Sequence, residues 1–383
     1  MAEIDTLDVR ILGPVEVAYA FSMRRYAAEL TSALDQLEAV SARRALVPDE
    51  DARPAPTLTS RDRPFLTRGV SRFRDVLQHR RSTSTARRLR GDVFHVVDQR
   101  DAGLLDALPA GRTVQTVHDL LAVTADPDAP RAERIREQLG HAGRLVAISE
   151  STRAEILEHT EVPVERVTVI PNGLGEHFRP IPPARLGVVY DALPHSQYRV
   201  LHVASNAQPR KNLAGTIRVL HALRQQGLDA ILVRVGVPLP EAEQLLADDL
   251  GVTLQIADCG YVNDDRLVEL YNASDVLLFP SSYEGFGWPP LEAMACGLPV
   301  VASNAPALPE TLGAPANSDG DHGAALMAPA DDIEALTSHV AAVLTNRDLT
   351  ARLRAAGHAR AAEFSWERTA RAYLDVYRDL LED

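Results

Sequence analysis

Lysine is almost missing from this 383-residue sequence: of its 40 Lys and Arg residues, 39 are arginine and the one lysine is Lys211, in the segment QPRKN. Such a bias reflects coding preference, so a surviving ammonium marks a place where a planar guanidinium does not substitute. Cysteine is nearly as scarce. Cys259 and Cys296 are the two present, with no C-x-x-C spacing, which excludes a disulfide-stapled scaffold or a Cys-rich zinc module and predicts buried free thiols. No apolar run approaches the ~18 residues of a membrane span, and the opening MAEIDTLDVR is acidic where a secretory signal is basic and then apolar. A cytoplasmic location is expected. Basic charge is also short, the net charge being -13, which argues against a nucleic-acid partner.

What is present is the composition of a soluble globular protein, 45% hydrophobic and 24% charged, at a length that exceeds one ordinary core. Short β-branched runs alternate with amphipathic helical patterns throughout, the signature of α/β units around parallel sheets. Strands are expected at Val9–Leu12, Val93–Val97, Thr113–Val117, Leu145–Ile148 and Val167–Ile170, then at 198–203, 230–235, Val252–Ile256, Val276–Phe279 and Val300–Ala302. The proline-rich text around 181–197 reads as a linker, giving domains over 1–180 and 198–364. A final helix over 365–383 carries Trp366, Ala370, Tyr373, Tyr377 and Leu380 at helical spacing and needs a surface to cover.

The most informative stretch runs from Asp275 to Glu310. It reads as strand, loop, helix, strand, with Gly285 and Gly287 permitting close backbone approach and Pro289 and Pro290 suited to a first helical turn. A helix N-terminus there offers unpaired amides and a positive dipole end, hence a seat for phosphate. Glu284 before the helix and Glu292 in its first turn, an E-x7-E spacing, put two carboxylates on the rim of one cleft, where each accepts hydrogen bonds from sugar or ribose hydroxyls. The second stretch, ASNAQPRKNLAGTI at 204–217, follows a strand and opens a helix. Arg210 and Lys211 at its loop end suit a diphosphate, one as a fork and one as a point charge.

EGFGWPPLEAMACGLPVVAS together with QPRKN resembles the retaining glycosyltransferases of family 4, which have the GT-B fold. VQTVHDL, LVAISESTR, VIPNG and FSWERTA add weaker matches in order along the chain. The resemblance implies two Rossmann-like domains facing across a cleft, with the last helix crossing back to the N-terminal domain. It also implies that the C-terminal domain binds a nucleotide-sugar. By residue, it implies Glu292 on the ribose, Glu284 on the donor sugar with the backbone of Phe286, Gly287 and Trp288, and Arg210 and Lys211 on the diphosphate. Gly285 and Leu291 complete the donor-binding set. His118, in VHDL, matches the family's histidine beside the donor sugar. A lone histidine after a strand is commonly structural, so that role rests on the resemblance.

Two departures stand out. After the first strand the family often has a glycine-rich loop near the diphosphate, whereas this chain offers Gly13 alone. Where the family often has a G-R pair, this chain reads Ser205 and Asn206, and Arg210 takes the arginine's place.

The expected activity is transfer of a hexose-type sugar from a UDP- or GDP-linked donor to an acceptor hydroxyl with retention. No metal or other cofactor is expected, the D-x-D spacings (Asp49 and Asp51, Asp126 and Asp128, Asp319 and Asp321) lying in turn-rich text. A nucleotide-sugar 2-epimerase of the same fold, or a non-catalytic nucleotide-sugar binder, are the alternatives. The interval Arg53–Arg90 has eleven arginines against Asp62 and Asp75. It reads either as a solvated helical face or as a patch toward an anionic acceptor or an anionic membrane surface. Acceptors open on this reading are small molecules, lipid-linked glycans and glycan ends.

Overall fold

Most of the aliphatic runs become strands, and the strand order decides where ligands gather. The computed structural model describes residues 6–13, 21–45, 83–313 and 320–383. The chain divides into two units: unit 1 holds Met1–Gly173 with Trp366–Asp383, and unit 2 holds Leu174–Ser365.

Unit 1 has six strands, β1 Leu7–Leu12, β2 Val40–Ala45, β3 Val93–Val96, β4 Thr113–Val117, β5 Arg144–Ala147 and β6 Val167–Val169. They pair all in parallel in the order β2-β1-β3-β4-β5-β6, with Val9 opposite Val93 across β1 and β3. Every residue of β3 and β4 is buried, as a sheet covered on both faces requires. The sequence direction of the sheet reverses between β1 and β3, the crevice where α/β folds bind ligands.

The helix Trp366–Glu382 closes unit 1. Its stripe of Trp366, Ala370, Tyr373, Tyr377 and Leu380 is buried. Three of the unit's polar side chains, Tyr26, Thr116 and His95, meet Tyr373 and Tyr377 in a buried network. The Tyr373 hydroxyl lies 2.6 Å from that of Tyr26 and 2.7 Å from Thr116 Oγ1, and His95 bridges Thr116 (2.7 Å) and the Tyr377 hydroxyl (2.8 Å). Gly173 makes the approach possible, since a Cβ there would stand 2.6 Å from the Trp366 Cα.

Unit 2 has β7 Tyr198–Ala204, β8 Ala230–Gly236, β9 Ile256–Asp258, β10 Val276–Phe279, β11 Val300–Ser303, β12 Gly320–His322 and β13 Ala325–Ala328, in the order β12-β13-β11-β10-β7-β8-β9. All pairs are parallel except β12 with β13. Counted from β7, the parallel strands follow the 3-2-1-4-5-6 order of the doubly wound dinucleotide-binding sheet, with its switch between β7 and β10. The two motif loops, after β7 and after β10, therefore emerge side by side at that switch.

Several expectations need correction. β2 was not foreseen: VSARRA carries two arginines and sits at the sheet edge, where outward residues need not be apolar. Neither were β12 and β13. The strand expected at Val252–Ile256 starts only at Ile256, because Thr253–Gln255 forms a 3-10 turn. The text at 181–197, read as a linker, clusters with unit 2 and contains the helix Gly187–Ala192, whose Val189 is buried. Cys296 is buried, but Cys259 is only half-buried. The basic interval lies outside the described residues up to Ser82, as do Asp49, Asp51 and Asp319. Among the described residues no helix is long and apolar enough to cross a membrane.

Candidate active site

The loop after β7 ends in a turn, Pro209–Lys211, and hands over to the helix Leu213–Gln225 through Asn212. Asn212 takes the left-handed conformation (φ 51°) that asparagine tolerates, and its Oδ1 accepts from the Gly215 amide at 3.1 Å, capping the helix. The loop after β10 leads to the helix Trp288–Ala295, capped by Gly287 at φ 104°. Glycine suits the left-handed backbone there, and a Cβ would approach Leu308 Cδ2 to 2.6 Å, so that side chain would have to shift.

Arg210, Lys211 and Glu284 come together across these loops. Lys211 Nζ donates to Glu284 Oε1 at 2.6 Å and Arg210 Nη1 to Glu284 Oε2 at 3.2 Å. Arg210 also donates to the Tyr283 carbonyl at 2.8 Å and to Gln208 Oε1 at 2.6 Å, while the Ser282 amide donates back to the Arg210 carbonyl at 2.8 Å. Arg210 is thus a clasp between the two loops as well as a cation. Glu284 and Lys211 are buried. Burial alone would raise the Glu284 carboxyl, but the ammonium of Lys211 and the guanidinium of Arg210 outweigh it and hold it below the usual carboxylate range. The Lys211 ammonium also stands 5.5 Å from the centre of the Phe279 ring, a cation–π distance. Two cations beside a helix N-terminus favour negative charge there.

Glu292 differs from the expectation in place and setting. It is the fifth residue of its helix, at the start of the second turn, and is buried, not on a rim; Tyr271 donates to its Oε2 at 2.8 Å. Its carboxylate also lies close enough to Cys296 to add to the burial that pushes that thiol up to about 12. Phe286 packs edge-on against Phe364 (5.7 Å), Trp288 and Gly285 are half-buried, and Leu291 is fully buried with its amide directed to the Gly287 carbonyl at 3.5 Å. Tyr271, Gln208, Asn212 and Phe279 were not singled out from sequence. Only Asn212 carried a signal, a capping residue before an apolar periodic run.

In unit 1, Gly13 ends β1 at φ 90° and His118 follows β4. The His118 ring is 5% exposed, its Nε2 2.8 Å from the Val97 carbonyl and its backbone amide bonded to Gln99 Oε1 at 3.1 Å. A carbonyl can only accept, so Nε2 carries the proton and Nδ1 is the acceptor. Nδ1 has no hydrogen-bond partner among the described residues. Burial lowers the His118 pKa, although the nearby Asp98 carboxylate opposes it, and the ring is held neutral. Tyr26 stands edge-on to it at 4.7 Å. Among the described residues no cluster of three or more His, Cys, Asp or Glu forms a metal-binding group.

Comparison with known proteins agrees with this layout. The family model "Glycosyl transferases group 1" matches residues 192–360 and "Glycosyltransferase Family 4" matches residues 23–178. O-antigen chain mannosyltransferase B of Escherichia coli is 30% identical over 285 residues, covering 70% of each chain. The chain spans only about a third (34%) of the longer serotype-specific mannosyltransferases WbdA of that organism. Among solved structures, sucrose-phosphate synthase from Thermosynechococcus elongatus superposes with a TM-score of 0.76 at 20% identity, covering 98% of this chain and 99% of that one. Anabaena Alr3699/HepE in complex with UDP and glucose gives 0.74 at 16% identity, covering 97% and 100%. With its two parallel-sheet units and both halves matched by the family models, the chain belongs to the family 4 glycosyltransferases of the GT-B fold.

Proposed function

We propose that the protein transfers a hexose-type sugar from a nucleoside diphosphate donor to an acceptor hydroxyl with retention at the anomeric carbon. The observation that carries this is the joining of Arg210, Lys211 and Glu284 beside the N-terminus of Trp288–Ala295. As the glycosidic bond to the diphosphate breaks, negative charge builds on the leaving phosphate oxygen. Lys211, Arg210 and the helix amides stabilise it on this reading, the largest effect such a site can supply. The acceptor then attacks from the face the diphosphate leaves, and the departing phosphate takes the acceptor proton. Glu284, ionised and buried, holds the two cations and accepts from the donor sugar; Glu292 receives the ribose. In unit 1, the Nδ1 lone pair of His118 is proposed as acceptor for a sugar hydroxyl. Supporting a mannosyl donor, several relatives are mannosyltransferases, whereas a structural neighbour is in complex with UDP, so both GDP- and UDP-sugars belong in the assay.

A thermal-shift screen of nucleoside diphosphates and their sugars, followed by transfer to a panel of hydroxyl acceptors, tests the reading. A binding donor, nucleotide release that depends on acceptor, and a product with the donor's anomeric configuration are expected, undiminished by excess chelator. Release of an epimerised nucleotide-sugar, binding without release, or an inverted product would each replace it. Lys211→Ala is expected to lower kcat by about 10²–10³.

A further inference from the structure

A second polar site lies behind the loop that carries Lys211. Between that loop and the start of the helix Glu241–Asp249 is a pocket of ≈ 140 Å³, lined among others by Gln208, Lys211, Leu213, Arg234, Pro240 and Glu243. None of its lining residues comes from the Glu284–Glu292 segment. Its volume is several times the ~30 Å³ share of one water molecule.

Arg234 is the unusual member. It sits on β8 with 1% exposure, in a strand whose other residues are aliphatic or glycine. A guanidinium carries five N–H donors, and burying them without acceptors is costly. Arg234 Nη1 donates to Asp258 Oδ1 at 2.8 Å, but that carboxylate also accepts from the Leu239 amide (3.0 Å) and the Gly260 amide (3.3 Å). Arg234 Nε has no partner among the described residues. Its register partner on β7, His202, is wholly buried and likewise keeps Nε2 without one. The pocket is also met by the first turn of the 13-residue helix Leu213–Gln225. Asn212 caps only its Gly215 amide, and Leu213 and Ala214 line the pocket. A buried guanidinium with an unpartnered Nε, the first turn of a helix and Lys211 line one small cavity, and together they favour negative charge. Glu243 opposes it and limits the affinity.

We propose that this pocket binds a small tetrahedral oxyanion, inorganic phosphate or the phosphate group of a monoester, with Arg234 as its principal ligand. The occupant would tie the Asn206–Lys211 loop to β8 and so raise affinity at the donor site, an effect that by linkage runs equally in both directions. This coupling rests on the donor reading given above; the pocket itself does not.

The test is calorimetric titration of the full chain with inorganic phosphate, and separately with glycerol phosphate, in chloride buffer, with and without saturating nucleoside diphosphate. Phosphate is expected to bind with the nucleotide present. Arg234→Met should weaken it at least tenfold, and Glu243→Gln, a change at the pocket wall that leaves Arg234 in place, should tighten it severalfold. Binding of the monoester alone would assign the pocket to a phosphorylated metabolite; binding of both assigns it to the phosphate group. Phosphate binding that is abolished by the nucleotide, indifferent to both substitutions, or absent, overturns the proposal as an adventitious ion only. If the nucleotide itself fails to bind, the donor reading falls, while a Glu243→Gln gain in phosphate affinity still upholds the pocket.

Discussion

Lys211 and Glu284 form a buried pair in which each charge depends on the other. Removing only the ammonium leaves a buried carboxylate with Arg210 as its remaining cation, whereas removing both leaves only the partly exposed Arg210 guanidinium, which keeps the Tyr283 carbonyl and Gln208 Oε1 as acceptors. Breaking a buried pair typically costs about 3–5 kcal/mol, more than replacing the whole pair. Lys211→Met is therefore expected to destabilise unit 2 more than Lys211→Met with Glu284→Gln, and urea denaturation of the three proteins measures the difference. Equal losses would mean that Arg210 alone satisfies Glu284. Lys211 stood out in the sequence because it is the one lysine among 40 Lys and Arg residues. The partners were not legible: that one carboxylate joins Arg210 and Lys211 is a contact between residues 73 or 74 positions apart, set by the adjacency of β7 and β10. Glu292 was singled out by spacing, but its burial under Tyr271 depends on the helix Asp264–Ala273 and has no local signal.

At the scale of elements, the helix Trp366–Glu382 is held through hydroxyl groups as well as an apolar stripe. Tyr373→Phe removes a hydroxyl shared by Tyr26 and Thr116, and a loss of about 1–3 kcal/mol in the unfolding of unit 1 is expected. The same network makes unit 1 acid-sensitive. Burial, with His118 nearby, pushes His95 down to about 3, so the unfolded chain, near 6.5, takes up a proton that the folded state refuses. Stability therefore falls as pH drops below about 6.5, by up to about 1.4 kcal/mol per unit from this group, until the folded value is reached. His118, also lowered by burial, acts with the same sign in unit 1, and His202 does so in unit 2. Urea midpoints measured between pH 7 and 4.5 should decline in the parent and decline less in His95→Gln; identical slopes would reject His95 as a source. The stripe of this helix was plain in the sequence, and its hydroxyls were not, because tyrosine reads as an apolar residue until its neighbours are known.

At the scale of the whole molecule, alternating aliphatic runs and amphipathic helices were enough to give two α/β units. The strand order that creates a switch point between β7 and β10 was not, since periodicity says which face is buried and nothing about which strand lies beside which. Unit 2 is continuous from Leu174 to Ser365 and has its own core. Residues 174–365 expressed alone are expected to unfold cooperatively in a calorimeter, while residues 1–173 alone are expected to lack a sharp transition and to recover it when Trp366–Asp383 is fused after Gly173.

That interruption has a consequence during synthesis. The surface of unit 1 that receives Trp366, Tyr373 and Tyr377 is made early, and its cover leaves the ribosome only after all of unit 2 has been translated. At ordinary elongation rates the interval is roughly 10–40 s. For that time His95, Thr116 and Tyr26 lack the hydroxyl groups that complete them in the folded protein. The nascent first unit thus lacks its cover until this helix arrives, and a stalled ribosome would hold it in that state.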